Sequence, residues 1–323
     1  MAVREFCMLV QESAYKTPVG SPVLGTSMIY PRLSDSNAFT MRAKPNLVRV
    51  ARGGGQATNA YVVSSKTDVE GTLKIVLCYS QAAFLLGWAT SPINAGQTLP
   101  YVTTEPPGDM ASMAIYHAIL RSDSTLKRRV YLGSKVVSWT LENSADSPLL
   151  MLTLNIRAST PQGNIHDSST DPNATVFPAP ADTAFPTDAV LFTHLAGGVT
   201  LSGSSRTQFD SLRLNAKHST DPKTFESVYV NVHRFWGRET TLAVTNYYKP
   251  TPDDRSTFEA VTVGSNTIVW TGASHTITAT MNAQNVFTTV DDDLGIDKCY
   301  MQAAEMLNNW DASAGGDISF AVT

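Results

Sequence analysis

Three consecutive aspartates, Asp291, Asp292 and Asp293, are the best candidates for metal chemistry in this 323-residue sequence. Clustered carboxylate oxygens are ligands that Ca²⁺ and Mg²⁺ prefer, but the spacing of an EF-hand fails because no glutamate closes a loop at the twelfth position. The competing interpretation is a solvated turn before a helix capped by Asp297, since negative charge is favoured at a helix N-terminus. We favour the turn and expect neither a metal nor another cofactor.

Other arrangements that could support catalysis are also missing from the sequence. None of the six histidines has another histidine or a cysteine at metal-type spacing, and the HExxH and GxSxG motifs are absent. The run Gly53, Gly54 and Gly55 is not followed by the lysine that a phosphate-binding loop requires. No pair of carboxylates can be placed as in a glycosidase. We therefore predict that the protein is not an enzyme and has no catalytic residues.

The composition favours a protein that works through its surface. Charged residues make up only 16% of the chain, and the net charge of −4 shows no basic excess of the kind that marks nucleic-acid binders. Arg42, Lys44, Arg49 and Arg52 form a local basic group without neighbouring aromatic platforms. Subunit contacts or a solvated face explain them more simply than binding of single strands.

Compartment signals point to a reducing cytoplasm. The three cysteines, Cys7, Cys78 and Cys299, form no CxxC pair and are predicted to be reduced, mostly buried thiols. The N-terminal segment lacks the pattern of a signal peptide, and no apolar run reaches the roughly 18 residues that span a bilayer. We expect synthesis in a cytoplasm and no membrane partner.

Alternation of apolar and polar residues predicts an all-β fold. One face of each predicted strand is buried and the other is more polar. The clearest examples are residues 73–78, 136–142, 150–157, 228–233 and 276–281. Helical spacing predicts two short helices, residues 81–88 after Ser80 and residues 298–310 after Asp297.

The middle of the chain suggests a division into two modules. Residues 160–186 are rich in proline, which a strand ladder does not tolerate. We predict a first β-module at residues 1–160, a linker at 161–186 and a second β-module at 187–323. Residues 41–44 resemble residues 214–217, and residues 69–75 resemble residues 238–244, at offsets of 173 and 169. Tandem copies of one module explain these matches, and chance similarity between threonine-rich strands remains the alternative.

Several motifs resemble the tail tube proteins of long-tailed bacteriophages with non-contractile tails. The first is residues 11–19, QESAYKTPV; the second is residues 68–73, DVEGTL, leading into the helix at 81–88; the third is residues 130–136, VYLGSKV, before two alternating strands. The likeness covers most of the chain, although each motif is short. Between the first two motifs, residues 43–59 read as a long, basic, glycine-tipped loop.

The resemblance implies a structural virion protein made in the bacterial host. Such proteins fold as β-sandwich-like modules with flanking helices, and their inner sheets join into a barrel between subunits. Rings of six modules stack into a tube that conducts DNA at ejection. Two modules per chain imply a trimeric ring with pseudo-sixfold symmetry, and one implies a hexamer. The implied partners are the tape measure protein in the lumen and the terminator and distal tail proteins at the ends.

The family's loop between early strands makes the contact from ring to ring. In this sequence we place that contact in residues 43–59. Its predicted contact residues are Leu47, Val48, Arg49, Arg52, Gly53, Gly54 and Gly55.

Two other functions remain open. Another tail component, such as a terminator, hub or tail-tip protein, could use the same module. A carbohydrate-binding adhesion β-sandwich would need exposed aromatics at loop tips, for which Trp236 and Trp270 are the candidates.

Overall fold

The structure is a computed structural model of the chain. It describes residues 4–35, 38–51, 59–90, 101–102, 110–120, 126–167, 184–190, 198–206, 209–223, 232–247, 254–272, 275–293, 301–309 and 316–323. These residues form strands almost throughout, with two short helices, so the predicted all-β class is confirmed.

The described residues of the first half form ten strands and a helix. They are β1 (Arg4–Ala14), β2 (Thr17–Pro18), β3 (Met28–Ile29), β4 (Phe39–Ala51), β5 (Asn59–Val76), α1 (Tyr79–Thr90), β6 (Tyr101–Val102), β7 (Met113–Leu120), β8 (Leu126–Ser144), β9 (Met151–Ala158) and β10 (Thr160–Asp167). The helix predicted at residues 81–88 is confirmed as α1. Its apolar block fills the space over the sheet: Leu85, Leu86 and Trp88 are all buried.

In the second half, the part of the chain that the structure describes forms eight strands and a helix. They are β11 (Val199–Leu201), β12 (Ser204–Arg206), β13 (Phe209–Lys223), β14 (Val232–Tyr247), α2 (Asp254–Glu259), β15 (Gly264–Thr271), β16 (Thr276–Asp293), β17 (Met301–Asn308) and β18 (Ile318–Val322).

The same antiparallel pairings occur twice along the chain. In the first half β4 pairs with β5, β5 with β9, and β9 with the second part of β8. The first part of β8 lies between β7 and β10, and β7 pairs with β1.

In the second half β13, β14, β17 and the second part of β16 follow one another in the same way. The first part of β16 lies between β15 and β18, and β15 pairs with β11. A helix follows the second strand of the hairpin in both halves.

Two matching irregularities align the halves residue by residue. The β8–β9 register shifts between Val136 and Ser138, and the β16–β17 register shifts between Phe287 and Thr289. When these bulges are superposed, the pairings place Met41 on Leu214, which is the first sequence match. The same pairings place Gly71 on Leu242. The second sequence match aligned Gly71 with Thr240, so that match is out of register by two residues.

The core lies on one face of a sheet that crosses both halves. Its strand order is β4, β5, β9, β8, β13, β14, β17 and β16, with β8 and β13 joining the halves. The buried face contributes Leu73, Leu154, Leu141, Leu214 and Leu242 to one continuous hydrophobic cluster. A smaller cluster covers the other side of β1 and β7 and includes Met8, Tyr116 and Phe185.

The predicted helix at residues 298–310 is wrong, because residues 301–308 form strand β17. The sequence MQAAEMLN has good helix formers, but pairing with β14 and β16 on both sides outweighs that preference. Burial alternates accordingly, with Gln302, Ala304 and Met306 buried. Asp297, its expected cap, lies outside the described residues.

Two predicted loops are corrected in part. The predicted excursion at residues 43–59 is mostly hairpin, since β4 runs to Ala51 and β5 begins at Asn59. The predicted linker begins with strand β10, which pairs with β8 even at Pro161. Proline is tolerated there because β8 is the one strand that pairs with β10 among the described residues.

Candidate assembly surface

The face of the eight-stranded sheet opposite the core is predominantly polar, with a few apolar side chains such as Met151 and Leu307. Because side chains alternate along a strand, the residues between the buried ones all point to this face. Cross-strand hydrogen bonds connect it: Thr72 Oγ1 donates to Asn155 Oδ1 at 3.0 Å, and Asn155 Nδ2 donates to Ser138 Oγ at 2.8 Å. Arg157 pairs with Glu70. This polar face gives the sheet a wettable surface across both halves.

The internal joint, defined as the β8–β13 pairing, unites the two halves. It runs from Ser144 opposite Ser211 to Ser138 opposite Lys217. On the polar face Thr140 Oγ1 donates to Asn215 Oδ1 at 2.8 Å, and Arg213 lies 3.6 Å from Glu142. On the core face Leu141 lies opposite Leu214, and both are fully buried. The joint therefore combines an apolar side with a polar side whose central contact is uncharged.

A second contact between the halves is made at the end of α1. The last carbonyls of a helix have no partner within it. His218 Nε2 donates to the Ala89 carbonyl at 3.0 Å, and Arg238 Nη1 donates to the Thr90 carbonyl at 2.7 Å. Arg238 is itself held by Asp317. Burial, with a smaller contribution from the Arg238 charge, lowers the pKa of His218 from 6.5 to about 4, so the imidazole is neutral near pH 7.

The two outer strands of the polar sheet have one partner each among the described strands. β4 pairs with β5, and the second part of β16 pairs with β17. Arg42 and Lys44 are exposed on β4, and Asp291 is exposed on β16. An edge with free N–H and C=O groups is a ready template for another strand. One edge of this sheet is basic and the other is acidic.

The aspartate run is part of that acidic edge and not the predicted turn. β16 continues through Asp293, where the run pairs with residues 301–303 of β17. The Asp292 carboxylate receives hydrogen bonds from Arg255 Nε and Gln302 Nε2, both at 2.9 Å. Because Asp291 alternates with Asp292, it points to the opposite face of the strand. Within the described part of the chain, no three metal-type ligands come together.

Two hairpin arms, defined as the parts of β4–β5 and β13–β14 beyond the sheet, extend from it. In the first arm residues 45–51 pair with residues 59–67, and in the second arm residues 218–223 pair with residues 232–238. Of the predicted inter-ring residues, Leu47, Val48 and Arg49 lie in strand β4. Arg52, Gly53, Gly54 and Gly55 lie outside the described residues.

The first and third sequence motifs contact each other. The buried Glu12 accepts a hydrogen bond from the Gly133 backbone N–H at 2.8 Å, and Lys135 lies 4.9 Å from the centre of the Tyr15 ring. Gly133 has φ of +62°, and a Cβ there would come within 2.8 Å of Tyr15. These motif residues hold β1 against β8, so their role is structural.

The remaining sequence candidates give little support to other functions. Trp270 is buried in the core, which removes it as an exposed lectin-type aromatic. The side chain of Trp236 lies outside the described residues. Cys7 and Cys78 are free, buried thiols, and burial raises the pKa of Cys78 to about 11. Cys299 is not among the described residues. No helix in the described parts of the chain is long and apolar enough to cross a membrane.

Comparison with known families identifies the family of this chain. The family model described as phage tail tube protein matches residues 5–297. No curated protein matches the sequence. The match covers nearly the whole chain and includes both edges and both hairpin arms. The chain belongs to the phage tail tube protein family and is a structural component of the virion tail.

Proposed function

We propose that this protein forms trimeric rings with pseudo-sixfold symmetry, and that the rings stack into the tube of a long non-contractile tail. The observation that carries the proposal is the pairing scheme that occurs twice and is joined by β8–β13. If each half is one tube module, a chain supplies two of the six positions in a ring. Three chains of eight strands would then close a barrel of 24 strands.

The polar face would line the lumen of such a barrel. Closure removes both free edges, which otherwise invite uncontrolled association. The core face, covered by α1 and by strands β1, β7, β15 and β18, whose buried residues share its hydrophobic cluster, would point outward. The hydroxyl, amide and charged groups that dominate the polar face leave few apolar side chains toward a passing chain, which suits a conduit for DNA at ejection and a lumen that first holds a tape measure protein. Terminator and distal tail proteins would cap the two ends.

The arms would provide the contact between rings. Both halves carry one, so a ring of three chains would present six arms at pseudo-equivalent positions. In the first arm, Leu47 and Val48 would be buried against the neighbouring ring, while Arg49 and Arg52 would meet carboxylates. Burial of two aliphatic side chains contributes roughly 3–5 kcal/mol per arm before ordering costs.

Electron microscopy of the concentrated, purified protein tests the function. We expect tubes or rings, with class averages and native mass showing three chains of 34.9 kDa per ring. Six identical chains per ring, each lending four strands to the barrel, would contradict the trimer. A protein that stays monomeric at high concentration would contradict the tube subunit itself.

Deleting residues 48–56 tests the arm. We expect the variant to keep the thermal unfolding of the wild-type protein and to form rings, but not long tubes. A matched deletion of residues 224–231 in the second arm shows whether both arms take part. Tubes of normal length from the first variant would mean that this arm does not stack the rings.

A further inference from the structure

The internal joint is a template for the contact between subunits. In it, the second part of β8 pairs with β13, the first strand of the following module. The equivalent strands at the two edges of the eight-stranded sheet are β16 and β4. Neither has a partner on that side among the described residues. We infer that β16 of one subunit pairs with β4 of a second copy, in the register of the internal joint, so that Asp291 lies opposite Arg42.

The register follows from the alignment of the two halves. Superposing the bulges places Thr140 on Asp291. The match of Met41 with Leu214 places Arg42 on Asn215. Thr140 and Asn215 lie opposite each other in the internal joint and share a hydrogen bond of 2.8 Å. Their counterparts form a pair of opposite charge.

Neighbouring positions extend the charge match. In this register Lys44 lies opposite Thr289. At the other end of the joint, Thr40 lies opposite Asp293. Lys44 therefore lies beside the Arg42–Asp291 pair on the same face of the joined sheet. Directly opposite charges stabilise an antiparallel pair, and like charges destabilise it. Joining β4 to β4, or β16 to β16, would set like charges against each other, so only the head-to-tail order is favoured.

The end of the joint is also marked in the sequence. The internal joint stops at Lys217, whose counterpart is Lys44. The next residue of β4 is Pro45, which has no backbone N–H to offer a neighbouring strand. Pairing between subunits would therefore stop where the internal pairing stops, and the first hairpin arm begins there. A head-to-tail contact of this kind closes into a ring when the rotation permits.

Engineered disulfides test the register, which rests on the proposal that subunits close side by side into rings. Residues directly opposite in an antiparallel pair have Cα atoms about 4.5–5.5 Å apart, within the range of a disulfide. The variant R42C/D291C, assembled into tubes and oxidised, should give covalent oligomers up to the full ring on a denaturing gel. The matched control A43C/D291C places the two thiols on opposite faces of the same strands.

The outcomes separate the two proposals. We expect at least about tenfold more cross-linked product from R42C/D291C than from A43C/D291C, the wild-type protein or either single variant, because only the first pair faces across the joint. Tubes that form normally but cross-link equally in both variants would overturn the register and leave the tube function intact. Failure of the wild-type protein to form rings or tubes would overturn both.

Discussion

The internal joint and the two edges of the sheet are built from equivalent strands. β8 and β13 pair with each other, whereas β16 and β4 have no partner on that side among the described residues. Inside the chain, β8 and β13 are held together by covalent connection, and the central contact on their polar face is the uncharged pair Thr140–Asn215. At the two edges of the sheet the equivalent positions are Asp291 and Arg42. Within a chain the order of the two halves is fixed, whereas the order of neighbouring chains must be selected. We infer that charge is used where the partner has to be chosen.

Truncating one apolar side chain in the internal joint and its counterpart at the β4 edge should give the largest difference in the free energy of unfolding. Leu214 is fully buried in the internal joint, while its counterpart Met41 is only partly buried at the free edge. We expect L214A to lower the free energy of unfolding of the subunit by about 2–5 kcal/mol, as cavities in cores do. M41A should cost less than half as much. Urea denaturation of the unassembled variants measures both values. Equal losses would show that the β4 edge is packed as tightly as the internal joint.

Acid should lower the free energy of unfolding of the subunit by protonating His218. Neither edge of the sheet has a histidine at the equivalent position. The position equivalent to His218 is Pro45, so no histidine would hold a helix across the joint between subunits. Burial lowers the pKa of His218 to about 4, from 6.5. The unfolded chain therefore takes up a proton near pH 6.5 that the folded chain accepts only near pH 4. Stability is present above pH 6.5 and is lost as the pH falls to about 4, by about 3 kcal/mol in total.

Substitution of the histidine isolates this effect. The variant H218Q keeps a donor for the Ala89 carbonyl but does not titrate. We expect its free energy of unfolding to fall less between pH 6.5 and pH 4 than that of the wild-type protein. The matched control is H275Q, because His275 is exposed. If H218Q and the wild-type protein show the same pH dependence, titration of His218 at the end of α1 is not the source of the acid sensitivity.

Charge reversal should affect assembly and leave folding unchanged. R42D sets two acidic groups against each other at the inferred joint, and D291R sets two basic groups against each other. Each should raise the concentration needed for tubes by about tenfold, and R42D/D291R in one chain should restore it. K74D is the matched control, since Lys74 is exposed on β5, one strand away from the edge.

Mixing the two single variants distinguishes three chains from six. In an R42D chain the central position of both edges is acidic, and in a D291R chain the central position of both edges is basic, so only unlike neighbours attract at that position. A ring with an odd number of subunits cannot alternate, so a trimer must keep one repulsive contact and the mixture should assemble poorly. A hexamer can alternate throughout. Efficient ring formation by the mixture, followed by light scattering and electron microscopy, would contradict the trimer.

The sequence predicts this molecule well where local pattern and burial agree. Alternation identified β9 and the first part of β16, and the apolar block at residues 81–88 identified α1. Sequence pattern gives the wrong element at β17. There the helix-forming sequence pairs with β14 and β16 on its two sides, and this pairing outweighs the local helix preference. The edges were beyond the reach of sequence reasoning for the same reason. Asp291 and Arg42 were noticed separately, but their relation depends on a register that only the sheet pairings supply.

Replacing the charged pair with the internal one should give the smallest and most informative effect. The variant R42N/D291T installs the residues of Asn215 and Thr140 at the inferred joint. A hydroxyl–amide hydrogen bond already supports the internal joint at this position, so we expect the variant to form tubes at a concentration within a few-fold of wild type. Exposed ion pairs are screened as the Debye length falls from about 10 Å at 0.1 M salt to about 3 Å at 1 M, whereas a neutral hydrogen bond is not.

The salt dependence of assembly is therefore the quantity to measure. Between about 0.1 M and 1 M salt, the protein concentration at which tubes form should rise for the wild-type protein and should rise less for R42N/D291T. Hydrophobic contacts gain from added salt in both proteins, so the difference between them isolates the charged pair. R42K/D291E, which keeps both charges, should follow the wild-type protein. If R42N/D291T and the wild-type protein respond identically, Arg42 and Asp291 do not meet, and the charges at the two edges serve some purpose other than joining subunits.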